Sequence, residues 1–408
     1  MDIRLEQDMI TINGKYANAD IYLSDFSELD EASTKQITEL VNCPMAEGSK
    51  IAIMPDTHAG VGCVIGFTQK IAGRIVPNLV GVDVECGMLV QKVSKDYAFD
   101  FKNLDKVIRQ RVPSGCAHRE KRHKFADNVD FASLVADVNA EKLSLSVASL
   151  GSGNHFIEVD VDDSGDHYIV IHSGSRHLGL EVCKFHQKRA VEFIHCGNAK
   201  DLVERLKAEG RHSEIETEIR KATGLYRGVP DHLAWLEGEF LDDYINDMKV
   251  CAQFAHWNRA GMMQEIVDGM GIKRKDLLET FKTVHNYVDT DLGIIRKGAI
   301  SLQKDERAII PMNMRDGSLI VRGFGNENAN FSGPHGAGRL MSRAVAKESL
   351  TMEEFKRSME GIYTTCVSSA TLDESPMSYK PMDRILANIS ELCEVERVIR
   401  PVYNFKAS

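Results

Sequence analysis

No C-x-x-C pair occurs in this 408-residue chain, and its 9 cysteines are scattered and odd in number. A disulfide framework is therefore not expected, and a reducing compartment fits better. No apolar run approaches the roughly 18 residues of a membrane-crossing helix. The first residues, Met-Asp-Ile-Arg-Leu-Glu-Gln-Asp, place acids where a secretory leader has a basic start and an apolar run, so a cytoplasmic location is expected. Repeats and low-complexity linkers are missing, and the 10 prolines are dispersed. That leaves no evident hinge, so a single domain over residues 1–408 is expected, with a helical insertion over about 176–270. Common catalytic signatures are missing too. There is no G-x-x-x-x-G-K-[ST] loop, no H-E-x-x-H and no G-x-S-x-G, which removes P-loop enzymes and the commonest zinc proteases and serine hydrolases. The nearest approach to the K-x-D-G of lysine-based nucleotidyl carriers is Met314-Arg315-Asp316-Gly317, with methionine where lysine must stand.

What is present suits a folded globular protein, with 43% apolar and 27% charged residues. The net charge of −10 repels nucleic acid on average, so any such role must rest on a local basic patch. Runs at Lys50–Met54, Asn78–Val93, Ser146–Val161, His167–His172, Gly293–Leu302 and Ser318–Val321 read as strands. Helical spacing occupies Phe101–Val112, Val129–Leu143, Leu180–Ile194, Asp201–Ala222, Arg339–Lys347 and Thr351–Met359. Leu241, Tyr244, Ile245, Met248, Ala252 and Ala255 form a further helix face, read as plain core packing. The sum is a mixed α/β protein with a β-strand core and a helical insertion.

Polar, metal-capable residues interrupt the apolar strands. Asp83 and Cys86 lie inside Gly-Val-Asp-Val-Glu-Cys-Gly-Met; burying an unpaired carboxylate is costly, so a cation or a set of donors is expected beside it. A hydrogen-bonded Asp next to an inert core Cys is the plainer alternative. His155, His172 and His285 stand at strand ends or turns. Each alone is more often structural, but with Asp83 and Cys86 they supply enough ligands for two ions sharing a thiolate. Zinc, iron and manganese all remain open on ligand type. His335 opens His-Gly-Ala-Gly-Arg before a helical stretch, where glycines admit a phosphate and imidazole can attack phosphorus; as a bare pattern this is a common turn. The segment Arg109–Lys124 is densely basic with a single acid, Glu120. It reads equally as a phosphate contact or a solvated loop.

Five segments carry a resemblance: Gly81-Val-Asp-Val-Glu-Cys-Gly-Met88, Gly153-Asn-His-Phe-Ile-Glu158, His172-Ser-Gly-Ser-Arg176, His285-Asn-Tyr287 and His335-Gly-Ala-Gly-Arg339. In their order, and with Met54-Pro-Asp-Thr-His58 ahead of them, the sequence resembles the RtcB family of RNA-splicing ligases. The resemblance implies a single-domain α/β fold with two Mn²⁺ ions, one on Asp83, Cys86 and His155 and the other on Cys86, His172 and His285. It implies that His335 takes guanylate from GTP, the cosubstrate. The guanylate then passes to an RNA 3′-phosphate, which a 5′-hydroxyl end displaces; a 2′,3′-cyclic phosphate is first opened. Asn154, Glu158, Asn286, Pro311, Met314, Ser318, Gly336, Gly338, Tyr379 and Lys406 match nucleotide-contacting positions. Glu158 would accept from guanine N–H groups and Lys406 would donate to its carbonyl oxygen. Asp56 and His58, with Arg119, Lys121 and Arg122 of the basic segment, are the expected RNA contacts.

Some positions depart from the family pattern. Pro311-Met-Asn-Met-Arg315 stands where Pro-Gly-Ser-Met-Gly is usual, Glu85 replaces a glycine between the first metal ligands, and Val61 occupies a position often held by lysine. They mark a divergent, bacterial-type paralogue whose target is tRNA or another cleaved structured RNA, with no DNA or membrane partner expected. Two alternatives stand beside the ligase: a binuclear metal phosphoesterase acting on RNA cyclic phosphates, and a non-catalytic RNA-binding paralogue. The intact ligand set argues against the second, since a decayed site should have lost a costly buried polar group.

Overall fold

A computed structural model describes residues 2–6, 9–196, 199–218, 226 and 228–407. The architecture is mixed α/β, built on two large sheets and a two-stranded ladder. In the first sheet the strands run in the order Asp2–Glu6, Met9–Asn13, Asn18–Ile21, Ile51–His58, Ile65–Lys70, Ile294–Lys297, Tyr287–Asp289. The second sheet runs Arg307–Asn313, Gly317–Gly323, Cys393–Lys406, Phe156–Val161, His167–Ser173, Gly87–Val93, Leu277–Val284. The ladder pairs Ala299–Ser301 with Ser332–Pro334. The strands of Ile51–His58 and His167–Ser173 are buried almost throughout, which is why their stretches Ile51–Met54 and Tyr168–Ile171 read as continuous apolar runs rather than alternating ones.

The long helix Glu239–Met270 packs on the second sheet. Met262, Met263 and Ile266 join Ile157, Ile169 and Ile171 in one core cluster. The face Tyr244–Met248–Cys251–Phe254 instead enters the largest cluster, with Trp235, Leu178 and Val182. Helices His177–Cys196 and Ala199–Ala208 precede it. Residues 219–222, the end of the expected helix from Asp201, lie outside the described residues. Among the described residues no helix is long and apolar enough to cross a membrane.

Several expected elements differ in extent. The run Asn78–Val93 is a strand only from Gly87, because Gly81 and Glu85 hold φ of 101° and 58°, a left-handed conformation that breaks a ladder. Likewise Ser146–Val161 is a strand only from Phe156, since Ala148 has φ 61°. The stretch Val129–Leu143 has helical spacing but forms only the short turns Phe131–Ser133 and Ala140–Ser144. There the backbone N–H groups of Val135 and Ala136 donate to the Asp247 carboxylate at 2.8 and 2.9 Å, so they are not available for helical bonds. The helix expected from Arg339 begins at Arg343, with Ser342 as its cap. His335 therefore does not sit at a helix N-terminus.

Candidate active site

Four neighbouring antiparallel strands of the second sheet bring their ends to one edge. Phe156–Val161 begins there, His167–Ser173 ends there, Gly87–Val93 begins there and Leu277–Val284 ends there. Register pairs Phe156 with His172, and Gly87 with both Ser173 and Val284. His155, His172, Cys86 and His285 therefore converge although they are far apart in sequence. A side chain at Gly87 would meet Thr283 O at 2.3 Å, so glycine lets the strands close beside Cys86.

Cys86 Sγ lies 3.4 Å from His155 Nε2 and 3.2 Å from His172 Nε2. His155 Nε2 also lies 2.8 Å from Asp83 Oδ2. The ligand atoms of Cys86, His172 and His285, and those of Asp83, Cys86 and His155, each lie within 4.8 Å of one another. His155 turns Nδ1 to Leu150 O at 2.9 Å and His172 turns Nδ1 to Asn154 O at 3.3 Å. Both rings thereby present Nε2 to the thiol, the orientation that carbonyl partners give to metal-bound imidazoles. Asp83 Oδ1 and His285 Nδ1 are buried without a hydrogen-bond partner, and such atoms call for an explanation.

Burial keeps His172 and His285 neutral by pushing both far below the ordinary histidine range. Burial also opposes ionisation of Asp83, but His155 and Arg176 outweigh it and hold the carboxyl below its usual range. The Cys86 thiol is pushed well above its ordinary range by burial and by Asp83. Neutral imidazoles, a carboxylate and a buried thiol that needs a cation to ionise fit a transition-metal site with Cys86 shared.

The long helix secures the loops around these groups from behind. Asn258, fully buried, takes the Ser149 N–H at 2.9 Å and donates to Ser173 Oγ and Gly174 O, both at 3.1 Å. Arg259 donates to Glu85 O at 2.8 Å and Ser173 O at 2.7 Å.

His335 follows the ladder strand Ser332–Pro334 and faces the same cluster, its ring centroid 4.7 Å from that of His285. Its Nδ1 lies 2.6 Å from Asp56 Oδ2, which also accepts the His335 backbone N–H at 3.2 Å. With the Asp56 carboxyl accepting at Nδ1, the ring proton stays on Nδ1 and the lone pair is left on Nε2. Asp56 sits at the end of the first sheet's strand Ile51–His58 and is fully buried. Its carboxylate is thus aimed at the imidazole and not at solvent from which RNA would arrive.

A cavity of about 330 Å³ opens over these groups. His58, Asp83, Cys86, His172, His285 and His335 line it, as do the expected nucleotide positions Asn154, Glu158, Asn286, Pro311, Met314, Gly336, Gly338, Tyr379 and Lys406. Ser318 does not line it; it is fully buried and its Oγ lacks a partner. Arg339, the end of the His-Gly-Ala-Gly-Arg segment, also lines the cavity, as do Arg343, Glu374 and Asn404, which nothing in the sequence pattern singles out. Glu374 is the hub of this end. It accepts from Tyr379 Oη at 2.6 Å and Lys406 Nζ at 2.5 Å, and pairs with Arg343 at 2.8 Å and Arg339 at 3.2 Å. Burial opposes its ionisation, but Lys406 and Arg343 hold it below the usual carboxylate range. An acid among short 3-10 turns gives no periodic signal, so only the fold reveals it.

The basic segment lies outside this cavity. Arg119 donates to Arg111 O at 2.7 Å and Ala148 O at 3.1 Å and pairs with Glu265 at 3.4 Å. Such a committed side chain supports a loop, and its expected phosphate contact gives way to that role. Arg122 pairs with Asp127 at 2.9 Å while remaining half exposed, and Lys121 is exposed.

The family described as tRNA-splicing ligase RtcB matches residues 36–141 and 125–407. The chain is similar to the RNA-splicing ligase RtcB of Escherichia coli K12, 32% identical over 86% of this chain and 88% of the relative. It is also similar to the tRNA-splicing ligase RtcB of Methanococcus maripaludis, at 26% identity over 91% and 90% of the two chains. The RNA-splicing ligase RtcB2 of Escherichia coli ATCC 25922 is 25% identical over 94% of each.

Proposed function

The chain belongs to the RtcB family and is an RNA ligase, and from that membership we propose that it seals a 2′,3′-cyclic phosphate or 3′-phosphate RNA end to a 5′-hydroxyl end through a guanylate carried on His335. The observation that carries this reading is the 2.6 Å contact between Asp56 and His335 Nδ1, beside a set of Cys, His and Asp ligands. An acceptor on Nδ1 makes Nε2 the nucleophilic atom, as in other activated imidazoles.

Nε2 of His335 attacks the α-phosphorus of GTP; the bond to the β-phosphate breaks and pyrophosphate leaves. A 2′,3′-cyclic end is first hydrolysed to a 3′-phosphate. An oxygen of that phosphate displaces His335 and takes the guanylate. The 5′-hydroxyl then attacks the activated 3′-phosphorus, forming the phosphodiester and releasing GMP. Asp83, Cys86 and His155 would hold one Mn²⁺, and Cys86, His172 and His285 a second. When bound, the pair neutralises charge on the transferring phosphoryl and orients the triphosphate.

The chain's own residues do the rest. Glu158 accepts from guanine N–H groups, and Lys406, drawn from Glu374, donates to the guanine carbonyl. Gly336 leaves room for phosphate beside the nucleophile, while Gly338, where a Cβ would meet Asp56 O at 2.3 Å, lets the chain close on the Asp56 strand. Asn154, Asn286, Pro311, Met314 and Tyr379 bound the nucleotide. His58, Lys121 and Arg122 are the proposed RNA contacts, with no DNA or membrane role, and the cytoplasm is the proposed location.

The test is labelling. Incubation with Mn²⁺ and GTP labelled at the α-phosphate is expected to give an acid-labile, alkali-stable protein label that His335→Ala abolishes. A wild-type protein that takes no label overturns the guanylate route and favours the hydrolase or binder alternative.

A further inference from the structure

The strand Phe156–Val161 and the residue after it carry Glu158, Asp160 and Asp162 at alternate positions, so all face one side of the sheet. That side is apolar, packed by Val170, Ile309, Ile320 and Ile399. The acids at the two ends of the column are provided for. Asp162 accepts from Tyr168 Oη at 2.9 Å and from Ser164 Oγ at 2.6 Å, contacts Arg397, and lies 3.8 Å from Lys92. Glu158 accepts from Asn404 Nδ2 at 2.5 Å and is favoured as an anion by Lys406.

Asp160 has neither cation nor amide. It is fully buried, and neither carboxylate oxygen meets an N–H or O–H donor. Glu158 stands two residues earlier on the same face of the strand, close enough for the two carboxyl groups to act on each other. Two such groups can bond only with a proton between them. Burial pushes both carboxyl groups up, and Asp160 the further, because it faces the Glu158 charge with no donor of its own whereas Asn404 and Lys406 draw Glu158 part of the way back. A proton shared by the two therefore sits on Asp160.

We propose that Asp160 is a positioning residue for base selection: held neutral, it donates its proton to Glu158 and keeps that residue a pure acceptor. Such a pocket takes a base that presents adjacent N–H donors, which guanine does. It refuses one that presents a lone pair at the same edge, as adenine does. With Asn404 and Asp160 each supplying one donor, the remaining lone pairs of the Glu158 carboxylate face the cavity. Without the Asp160 proton, Glu158 loses a hydrogen bond that favours its charged form. It then takes up a proton more readily and becomes able to donate to adenine. This inference rests on the guanylate reading above.

The test compares labelling by GTP and by ATP, each labelled at the α-phosphate and with Mn²⁺, across Asp160 variants. Asp160→Ala is expected to lower the GTP-over-ATP preference roughly tenfold, the scale of one hydrogen bond to a charged group. Asp160→Asn, whose amide donates in place of the acid proton, is expected to recover most of it. A second measurement needs no turnover: the infrared carbonyl stretch of a protonated carboxyl should be present in the wild type and lost in Asp160→Asn. An Asp160→Ala protein that labels with unchanged preference overturns the inference while leaving the guanylate reading intact. So does a wild type lacking the protonated-carboxyl band, or an Asp160→Asn protein that discriminates no better than Asp160→Ala. Absence of any label from wild type with GTP overturns the guanylate reading instead.

Discussion

Asp56 grips His335 twice, its Oδ2 accepting both the imidazole Nδ1–H and the main-chain N–H of the same residue. The carboxylate is itself held from below, because Lys380 Nζ donates to the carbonyls on either side of it, Pro55 O at 2.9 Å and Thr57 O at 3.1 Å. One acid thus fixes both the tautomer and the position of the nucleophile.

Asp56→Ala should accordingly slow guanylate formation far more than it weakens GTP binding. Losing an equivalent orienting carboxylate costs on the order of 10⁴ in turnover in a serine protease triad, and a fall of roughly 10²-fold or more is expected here. Single-turnover labelling over a range of GTP concentrations separates the rate from the apparent affinity. An unchanged maximal rate would leave Asp56 a structural residue.

The shared thiol makes the metal ligands unequal. Cys86 belongs to both ligand groups whereas His285 belongs to one. Cys86→Ala should weaken both ions, while His285→Ala should remove one and leave Asp83, Cys86 and His155 to hold the other. Metal content after equilibration with Mn²⁺ and gel filtration reads this directly. Equal losses in the two variants would rule out a bridging thiol.

Much of this site was legible in the sequence because its ligands interrupt apolar strands, and a costly polar residue in such a run is conspicuous. What the sequence hid were partners brought together only by the fold. Asp56 and His335 are 279 positions apart, and Glu374 reaches Lys406 from a turn with no periodicity. Asn258 and Arg259 were invisible for another reason. Apolar spacing marks which face of the helix is buried but not which polar residues that face carries, and these two secure the ligand loops. The helix expected at Val129–Leu143 failed because Asp247, on the long helix, captures its backbone donors. Spacing alone does not register that competition.

Asn258→Ala should therefore destabilise the whole protein. It would strand the Ser149 N–H and Gly174 O in a fully buried setting, and an unsatisfied buried group costs about 1–3 kcal/mol. A loss on the order of 2–4 kcal/mol is expected in urea unfolding, with the m-value unchanged. A change within about 0.5 kcal/mol, the range of an indifferent surface substitution, would show that water replaces the amide.

Acid stability should depend on the far end of the acid column. Burial opposes ionisation of Asp162, yet Ser164, Tyr168 and Arg397 outweigh it and hold its carboxyl at about 2. A depressed folded-state value contributes stability above the unfolded value, lost as pH falls through the folded one. Asp162→Asn should thus cost about 2 kcal/mol near neutrality. The gap to wild type should close between about pH 4 and pH 2. Unfolding curves for both proteins across that window test it, and a gap that stays constant would detach Asp162 from the acid limb.

The basic segment divides into a support and an exposed pair, and RNA binding should divide with it. Arg119 is committed to Ala148 O, Arg111 O and Glu265, so Arg119→Glu should lower thermal stability. Lys121 and Arg122 lie at the surface, in a chain whose net charge of −10 otherwise repels phosphate. A Lys121→Glu, Arg122→Glu double variant should lose only the Arg122 contacts with Asp127 and Ala126 O, keep guanylate formation and bind RNA more weakly. Removing one cation from an RNA phosphate flattens the plot of log K against log salt by about 0.7 for a single strand. The double variant should therefore reduce that slope by about 1–1.5. A weaker affinity with an unchanged slope would mean that the charges act through the fold. An unchanged affinity would move the RNA path elsewhere, with His58, which lines the cavity, the next residue to substitute.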